Sequence, residues 1–279
     1  MTKKKLSKTI ICIIVSASFI GFILLTLLGL AIGMWATEIG NWTPDYEMVD
    51  ISPILEKSEL SDEDYNTLYR QTGLTKLGVD RMLDRGSVGK SRILNIQENF
   101  FGEYEVKKYR SFILCEEYID RHVTHAYLEN GDILVSSTAH LSGVRFGHSA
   151  LVVNANSNEI IEATSYGELS SIGTSTSFTT RANFMLFSPK VDTEIKEQVV
   201  EYAADNLVDL KYSALVGIFS KKNKIKKTQC AHLVWSAYNA FGIDLDSNGG
   251  GLVVPRDMAN SPKMELVQVF GMDIDKLWN

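Results

Sequence analysis

Cysteine is scarce in this sequence, and its placement excludes the usual metal and disulfide frameworks. The 279 residues contain only Cys12, Cys115 and Cys230. Because there is no CxxC pair, a structural zinc site is not predicted, and three scattered cysteines do not form a disulfide scaffold. The histidines also lack the carboxylate or thiolate pattern of a metal site, so neither a metal nor another cofactor is predicted. Three of them are close enough in sequence to be considered as ligands: His122, His125 and His140.

Excess positive charge is also absent. The chain has 28 Lys and Arg against 34 Asp and Glu, a formal net charge of −6. Four of the 28 basic residues precede residue 9, and no acidic residue precedes Glu38. The part that follows therefore carries 24 basic and 34 acidic side chains, a net charge of −10. This balance argues against nucleic acid as a partner.

Charge is missing altogether from one long stretch near the N-terminus. Residues 9–35 contain no charged side chain and are mostly apolar. About 26 helical residues at about 1.5 Å each cross the roughly 30 Å hydrocarbon core of a bilayer with some tilt. A signal peptide has an apolar core of only about 7–15 residues. We therefore predict an uncleaved transmembrane helix over 9–35, preceded by a basic tail at 1–8.

The charges beside this segment predict its orientation. The lysines of the tail are expected to stay in the cytoplasm, which places residues 36–279 outside it. Ala31–Gly33 has the small residues of a cleavage site, so removal of the segment is the alternative. If the segment is retained, the protein is a single-pass protein of the cell membrane with an extracytoplasmic domain.

The region 36–90 is predicted to be a spacer followed by a small helical segment. Residues 41–53 contain prolines, which resist regular structure. Ser61 is a good N-cap before an acidic first turn, and Gly73 is expected to end that helix. A second short helix is predicted from Thr75 to Leu83.

The run Gly86–Ser91 is similar to a phosphate-binding P-loop but lacks one of its glycines. The motif needs a glycine five residues before Gly89, where this chain has Asp84. No strand of Val and Ile precedes the run, so a plain loop is predicted. The main domain is predicted to extend from residue 91 to residue 279.

Strand-like segments follow, and helical segments come after them. The predicted strands are Tyr109–Tyr118, Gly131–Val135, Gly147–Val153, Glu159–Ala163 and Phe184–Phe187. A helix is expected from Asp192 to Leu207. Turn-forming residues at 154–158 join the third strand to the fourth. This order of strands and then helices indicates an α+β fold with an antiparallel sheet.

Residues 228–242 have the pattern of one amphipathic helix with a cysteine in its first turn. Thr228 is the predicted N-cap and Gly242 the predicted C′ residue. Cys230 then lies where free backbone N–H groups and the helix dipole favour a thiolate. Five lysines in 221–227 add a field of the same sign. A buried structural cysteine is the alternative, because free cysteine usually packs as a small hydrophobe.

His148 is the predicted base for this thiol. If the turn at 154–158 pairs Val153 with Glu159, Glu162 falls on the same face of the sheet as His148. A carboxylate in that position orients the imidazole and stabilises its protonated form. His232 is nearer to the cysteine in sequence, but residues two apart on a helix point about 200° apart. His232 is therefore expected to pack or form hydrogen bonds elsewhere.

The order of these motifs resembles that of a known family. The motifs are Gly-Asp-Ile-Leu at 131–134, Gly-His-Ser-Ala-Leu-Val-Val at 147–153, Ile-Ile-Glu-Ala at 160–163, Gln-Cys-Ala-His-Leu-Val-Trp at 229–235 and Val-Pro-Arg-Asp at 254–257. They look like those of circularly permuted NlpC-type papain-like hydrolases, the YiiX/YebB-like branch. The resemblance covers roughly 94–261. It implies a papain-like antiparallel sheet packed against the cysteine-bearing helix.

The resemblance also implies roles for individual residues. It makes Cys230 the nucleophile, His148 the base and Glu162 the third member of a Cys-His-Glu triad. Beside the backbone N–H of Cys230, Gln229 is a candidate oxyanion donor. Tyr212 is expected to border the cleft or simply to pack as an aromatic side chain. The predicted activity is that of a membrane-anchored cysteine hydrolase that cleaves amide bonds in peptidoglycan-type cell-wall peptide.

Two other functions remain open. The run at 229–234 is similar to the Asn-Cys-Glu-His-Phe-Val signature of lecithin–retinol acyltransferase-like proteins, which implies a thiol acyltransferase or lipase acting on membrane lipid. This chain has Gln for Asn and Ala for Glu, and its orienting residue is a glutamate rather than a histidine. The second alternative is an inactive anchored binding module, and a Cys115–Cys230 disulfide would also block catalysis. The lysine run at 221–227 is either a solvated loop or a surface that attracts anionic wall polymer or lipid headgroups.

Overall fold

The computed structural model describes residues 8–36, 40–111, 114–141 and 144–278. Its helices are α1 (Lys8–Ala36), α2 (Ser52–Leu55), α3 (Asp62–Thr72), α4 (Lys76–Leu83), α5 (Gly86–Phe100), α6 (Thr176–Thr179), α7 (Thr193–Asn206), α8 (Cys230–Asn239) and α9 (Pro255–Ala259). Its strands are β1 (Val106–Ser111), β2 (Leu114–Ile119), β3 (Ile133–Ser136), β4 (His140–Leu141), β5 (Val144–Arg145), β6 (His148–Asn154), β7 (Glu159–Glu162), β8 (Ser171–Thr174), β9 (Phe184–Pro189), β10 (Lys211–Tyr212), β11 (Lys227–Thr228) and β12 (Met264–Phe270). The mixed α+β class predicted from the sequence is confirmed.

A six-stranded antiparallel sheet organises the chain. Its strand order is β12-β9-β3-β6-β7-β8. Four of its strands, β3, β6, β7 and β9, lie within two residues of the bounds expected from the sequence. A smaller antiparallel sheet has the order β1-β2-β4-β5, and β10 pairs with β11 in parallel. The predicted antiparallel arrangement is therefore confirmed. Within the six-stranded sheet, β8 and β12 are strands that were not predicted from the sequence.

Helices pack on both faces of the main sheet because side chains alternate along each strand. In β6, Leu151 belongs to the core under α7 and α8, whereas Ala150 and Val152 belong to the core shared with α3, α4 and α5. On the α8 side, Val234 is fully buried, which contributes on the order of 2 kcal/mol. This packing fixes the cysteine-bearing helix against β6, the strand that begins at His148.

The two helices predicted in the region 61–83 are present. The Ser61 hydroxyl accepts from the Asp64 N–H, and the Asp64 carboxylate accepts in return from the Ser61 N–H, so α3 begins with a capping box. Gly73 ends α3 with φ 70°, a left-handed conformation that glycine adopts at little cost. Thr75 caps α4 by a single bond, since its hydroxyl accepts from the Gly78 N–H.

The loop predicted at Gly86–Ser91 is wrong, because the run opens α5. Ile93, Ile96 and Phe100 recur at helical spacing and are buried against the sheet. Gly89 allows the close approach of α4, since a Cβ atom there would lie 1.7 Å from the Met82 carbonyl oxygen. The same helix runs across the predicted domain start at residue 91, so the helical segment and the sheet share one core.

The strand predicted from Tyr109 to Tyr118 is instead a hairpin. Strands β1 and β2 pair antiparallel, with Tyr109 opposite Glu116. Phe112 and Ile113, which belonged to the predicted strand, lie outside the described residues. The apolar run in this segment favoured one continuous strand because it contains no glycine or proline to indicate the turn.

His140 is a buried residue of the smaller sheet. His140 lies in β4, opposite Cys115 of β2 and Arg145 of β5, and its side chain is fully buried. Its Nε2 atom is 3.6 Å from a carboxylate oxygen of Glu117. Burial, the largest influence, lowers the pKa of His140, which keeps the ring neutral at pH 7.

The predicted spacer at 41–53 is bound to the domain rather than free. The Asn41 amide donates to the Ala182 carbonyl at 2.6 Å, and the Trp42 N–H donates to the Gly271 carbonyl at 2.9 Å. Further along, the Val49 N–H donates to the Gln71 side chain at 2.9 Å. The chain is therefore attached to the folded domain from Gly40 onward.

Helix α1 contains the predicted span. The stretch Ile10–Gly33 has a mean hydropathy of 2.8 and none of it is buried, so it is long and apolar enough to cross a membrane. A signal sequence near an N-terminus meets the same criteria. Of the predicted basic tail at 1–8, residues 1–7 lie outside the described residues and Lys8 begins the helix.

Candidate functional site

Cys230 is the first residue of α8, but the residue that caps this helix is Gln229 rather than the predicted Thr228. The Gln229 side-chain oxygen accepts from the Ala231 N–H at 2.8 Å. Thr228 is held one residue earlier in β11, opposite Tyr212, and its hydroxyl interacts with the Gln229 carbonyl and His232. The cysteine therefore lies where the helix has unsatisfied N–H groups.

The far end of the helix also differs by a short distance from the prediction. Helix α8 ends at Asn239 with Ala240 as its C-cap, so Gly242 lies one residue beyond the C′ position instead of occupying it. Gly242 has φ 76°, and its N–H donates to the Asn239 carbonyl at 3.1 Å. The left-handed glycine is thus at the predicted residue, but the helix ends one residue earlier than predicted.

His148 and Glu162 meet at one end of the main sheet. Their strands pair Leu151 with Ile161 and Val152 with Ile160, the register that places Glu162 beside His148. The His148 Nε2 atom lies 2.6 Å from a Glu162 carboxylate oxygen. The geometric prediction of a His–Glu pair is confirmed.

The turn between these strands differs in one detail from the assumed pairing. Glu159 lies opposite Asn154 rather than Val153, because a β-bulge interrupts the ladder at this point. The bulge is confined to the turn end of the hairpin. It therefore leaves the register at the His148 end unchanged.

The Cys230 thiol lies beside the His148 ring, and each of the two groups shifts the pKa of the other. Since Glu162 occupies Nε2, the nitrogen that remains for the thiol is Nδ1. The three residues are all nearly buried, with exposed fractions of 7% for Cys230, 4% for His148 and 8% for Glu162. Phe178 stacks on the imidazole with ring centroids 5.6 Å apart, which restricts rotation of the ring.

The electrostatics of this group favour an ion pair. Burial, the largest influence, and the Arg181 guanidinium both lower the pKa of His148, but its hydrogen bonds to Cys230 and Glu162 raise it to about 9. Burial raises the pKa of the Cys230 thiol, yet the bond to His148 and its positive charge bring that pKa below the ordinary value. A thiolate beside an imidazolium is the expected state near neutral pH.

Backbone N–H groups also stabilise the sulfur. The N–H groups of Ser149 and Ala231 lie close enough to Cys230 to lower its pKa. Successive N–H groups alternate in direction along a strand, and that of Val152 points to β3. That of Ser149 therefore points to the β7 side, where the ladder has already ended at Leu151. The Cys230 sulfur lies near this N–H group, which helps to lower the pKa of the thiol.

Two charged residues near the pair were not predicted from the sequence. Arg181 is 4% exposed and donates to a Glu116 carboxylate oxygen at 3.0 Å, and the Tyr118 hydroxyl donates to the other oxygen of that carboxylate. The Arg181 guanidinium lies 5.2 Å from the centre of the Phe178 ring, which separates it from direct contact with His148. No local pattern around Arg181 could have revealed it, because it reaches the site only through the fold.

Gln229 and Tyr212 both lie at the site, but they make different contacts there. The Gln229 amide nitrogen donates to the Val253 carbonyl at 2.5 Å, and its oxygen lies 3.4 Å from the Cys230 sulfur. Because these partners fix the orientation of the amide, the geometry does not favour Gln229 as an oxyanion donor. Tyr212 is half-buried and contacts the exposed ring of Tyr166 at 5.1 Å, so it borders the site.

The remaining histidines and cysteines form contacts away from the sulfur. His232 is fully buried, and its ring nitrogens contact the Thr228 hydroxyl and the Lys222 carbonyl, as expected from its position on the helix. His122 and His125 contact Thr179 and Ser175 respectively. All three cysteines are free, so the Cys115–Cys230 disulfide does not form in this structure.

Gly147, immediately before His148, is expected to be the most sensitive glycine near the site. Its φ is 76°, and a Cβ atom would lie 2.3 Å from the Ser136 carbonyl oxygen and 2.4 Å from the Trp278 ring. We expect Gly147→Ala to lower the free energy of unfolding by roughly 3 kcal/mol or more, because strain and overpacking add. Unfolding of the full chain in detergent micelles measures this.

The matched control is Gly242→Ala. Gly242 has the same φ of 76° but no atom within 4 Å of the added Cβ. We expect it to lose only about 1–2 kcal/mol from the backbone conformation. Equal losses for the two variants would show that the crowding at Gly147 is not important.

Comparisons with known proteins give no match from which the function of this site could be inferred. No family model matches the sequence, and neither a curated protein nor a solved structure matches it. The resemblance to NlpC-type hydrolases therefore stays a prediction. The site consists of a thiol at a helix start, an imidazole beside it, and a carboxylate hydrogen-bonded to the imidazole.

Proposed function

We propose that the protein is a cysteine hydrolase with Cys230 as nucleophile, His148 as base and Glu162 as the residue that orients the imidazole. The observation that carries the proposal is that Cys230, at the start of α8, lies beside a His148 ring whose Nε2 atom is 2.6 Å from a Glu162 carboxylate oxygen. Nucleophile, base and orienter in contact are the arrangement of thiol hydrolases. A merely structural cysteine needs neither partner.

The first half of the reaction forms an acyl-enzyme. The Cys230 thiolate attacks the carbonyl carbon of the substrate, and a carbon–sulfur bond forms. The backbone N–H of Cys230, in the first turn of α8, is the proposed donor to the oxyanion. When the carbon–nitrogen bond breaks, the His148 imidazolium gives its proton to the leaving amine.

The second half releases the acid product. His148, now neutral, takes a proton from water, and the resulting hydroxide adds to the acyl carbon of the thioester. The carbon–sulfur bond then breaks and regenerates the thiolate beside the imidazolium. Glu162 stays ionised throughout, since its pKa lies below the ordinary value despite burial, owing to His148 and Arg181.

The proposed fold is the permuted papain-like arrangement. Its support is the order of the site residues along the chain, His148 and Glu162 before Cys230, together with α8 packed on β6 of an antiparallel sheet. The proposed location is the cell membrane, with α1 as a single-pass anchor, the N-terminus in the cytoplasm and residues 36–279 outside. The length and apolar composition of α1 and the lysines before it support this arrangement.

The proposed substrate is an amide bond of peptidoglycan-type cell-wall peptide. Its support is the resemblance of the motifs to NlpC-type hydrolases and the extracytoplasmic location of the domain. A second candidate is a thiol acyltransferase or lipase acting on membrane lipid. It is favoured by the attachment of the domain close to α1, since Asn41 and Trp42 are already bound to the domain body.

The two substrates can be distinguished with the full chain in detergent micelles. It is incubated separately with purified peptidoglycan and with phospholipid vesicles, and iodoacetamide-treated protein serves as the control. We expect new amino termini from peptidoglycan and none from the treated protein. Free fatty acid or acyl exchange from the vesicles would support the lipid enzyme. No product from either substrate would favour a binding module without activity.

A further inference from the structure

One surface beside the site combines exposed apolar side chains with lysines. Residues 213–227 form a loop that runs from the end of β10 to the first residue of β11, and in it Leu215, Ile218 and Phe219 are exposed by 45%, 51% and 83%. Large apolar side chains exposed this far, and next to one another, are unusual on a soluble surface. Across the site Tyr166 is also exposed and touches Tyr212, so the apolar surface continues over the rim.

The charge of this loop is opposite to that of the domain. Residues 211–243 contain six lysines and no acidic residue, in a chain whose net charge is −6. Lys222 is paired with Asp246 and lies over the Trp235 ring. In the part of the chain that the structure describes, the other lysines of the loop form no ion pair; they are exposed and free to meet a partner: Lys221, Lys224, Lys226 and Lys227.

The loop is held in shape rather than loosely attached. Its two ends are joined by the pairing of Tyr212 with Thr228, two residues before Cys230. Val216 is buried, and Gly217 packs so closely that a Cβ atom would lie 1.8 Å from the Gly251 carbonyl oxygen. The Ile218 and Phe219 side chains are therefore presented by a fixed turn.

The attachment of α1 places this end of the domain near the proposed membrane. Only residues 34–39 separate Gly33 from Gly40, a reach of at most about 25 Å. Gly40 is held by the Asn183 side chain, which also accepts from the Ser137 N–H. Ser137 directly follows Ser136, the last residue of β3, and Ser136 pairs with His148 of β6. The anchor thus joins the domain at the end of the sheet that carries His148.

We propose that the loop at 213–227 binds the surface of an anionic phospholipid bilayer, with Ile218 and Phe219 in the headgroup region and the lysines on the lipid phosphates, so that the Cys230 site faces the membrane. Apolar side chains enter the boundary of the acyl chains while lysines remain among the headgroups. A soluble wall polyanion would use the lysines but give Phe219 no apolar partner. The inference rests on the proposed anchoring by α1.

The test is quenching of tryptophan fluorescence by brominated lipid. The full chain is reconstituted through α1 into phosphatidylcholine vesicles with or without phosphatidylglycerol. Because the chain has four tryptophans, the signal is the emission added by Phe219→Trp over the parent protein. In anionic vesicles we expect brominated acyl chains to quench this added emission at least about twofold, and Lys224→Gln with Lys226→Gln to reduce the quenching.

Val88→Trp provides the matched control. Val88 is an apolar residue exposed by 66% at the start of α5, while the other end of α5, at Phe100, contacts Trp42 beside the anchor. A helix of 15 residues is about 22 Å long, so this position lies well away from the attachment. We expect its added emission to be unaffected by brominated lipid.

Three outcomes would overturn the inference. The first is equal quenching of Phe219→Trp and Val88→Trp, and the second is quenching of Phe219→Trp that is the same in neutral and anionic vesicles. The third is an emission change caused by soluble anionic wall polymer but not by lipid. No activity is measured, so failure of the hydrolase proposal leaves this result unaffected. Loss of the protein from neutral vesicles on flotation would identify failure of the anchoring itself.

Discussion

Replacement of Cys230 by alanine is expected to lower kcat/KM for the cleaved bond by at least about 10³-fold, because no other group in the site can form the acyl-enzyme. The sulfur lies beside the His148 ring and near the N–H groups of Ser149 and Ala231, all of which lower the pKa of the thiol. In the alanine variant, a water molecule in place of the sulfur could use part of the polar surroundings, but it would not replace the thiolate as nucleophile. Release of product from the substrate identified above measures the loss.

Cys115→Ala is the matched control for this variant. Cys115 is the other buried free cysteine, and it lies in β2 opposite His140, outside the site. We expect its turnover to stay within about twofold of the parent protein, since surface and core changes away from the site mainly affect stability. Equal losses in the two variants, with both chains folded, would mean that Cys230 acts only through packing.

The second large effect is expected for Glu162→Gln, as a change in pH dependence. Burial and Arg181 lower the pKa of His148, whereas Cys230 and Glu162 raise it to about 9. The imidazolium is therefore present below about pH 9 and is lost above it, which gives the alkaline limb of activity. Without the Glu162 charge, burial and Arg181 are opposed by less, so the pKa of His148 falls toward the ordinary histidine value of about 6.5. The alkaline limb then moves to lower pH.

The size of this effect follows from the working pH. At pH 8 the parent protein keeps the imidazolium, whereas the Glu162→Gln variant has largely lost it. We expect kcat at pH 8 to fall by about 10- to 10²-fold and to recover partly at pH 6. The profile of kcat between pH 5 and pH 10 measures both limbs.

Glu159→Gln is the control for Glu162→Gln, because it changes the same group at the other end of the same strand. Glu159 lies at the turn end of β7 and contacts neither His148 nor Cys230. We expect its profile to overlay that of the parent protein. An unchanged alkaline limb in Glu162→Gln would show that the carboxylate does not set the protonation of His148.

The parts of the site that were predictable from the sequence depend on local patterns. The strands β6 and β7 are joined by five turn-forming residues at 154–158, so alternation alone placed Glu162 on the face of His148. The assumed register was decisive, because a slip of one residue would have placed Glu162 on the opposite face of the sheet from His148. The exclusion of His232 needed only the geometry of a helix.

The parts that were missed depend on contacts distant in sequence. Phe178 reaches His148 across 30 positions, and Arg181 reaches Glu116 across 65, so neither has a signal in its own neighbourhood. The helix α5 was missed because the run Gly86–Ser91 contains two glycines, which disfavour a helix locally. Tertiary packing decided otherwise, since Gly89 is needed where α4 and α5 approach each other.

The shift of the helix cap from Thr228 to Gln229 has a similar origin. Threonine is the better N-cap by preference. The pairing of Tyr212 with Thr228 holds that residue in β11, and the next side chain, Gln229, is left to accept from the Ala231 N–H. Its amide is thereby committed to the helix start and to Val253, which explains why an oxyanion role for it is not favoured.

The most direct test of the thiolate–imidazolium pair is the rate of alkylation of Cys230 by iodoacetamide as a function of pH. It is followed by mass spectrometry on the peptide that contains Cys230, in the full chain and in His148→Ala. We expect a fast rate already at pH 6 in the parent protein and a rate about 10- to 10²-fold lower in His148→Ala, rising toward pH 8.5 as for an ordinary thiol. Two overlapping profiles, both with the pKa of a free thiol, would contradict the thiolate–imidazolium pair and with it the hydrolase.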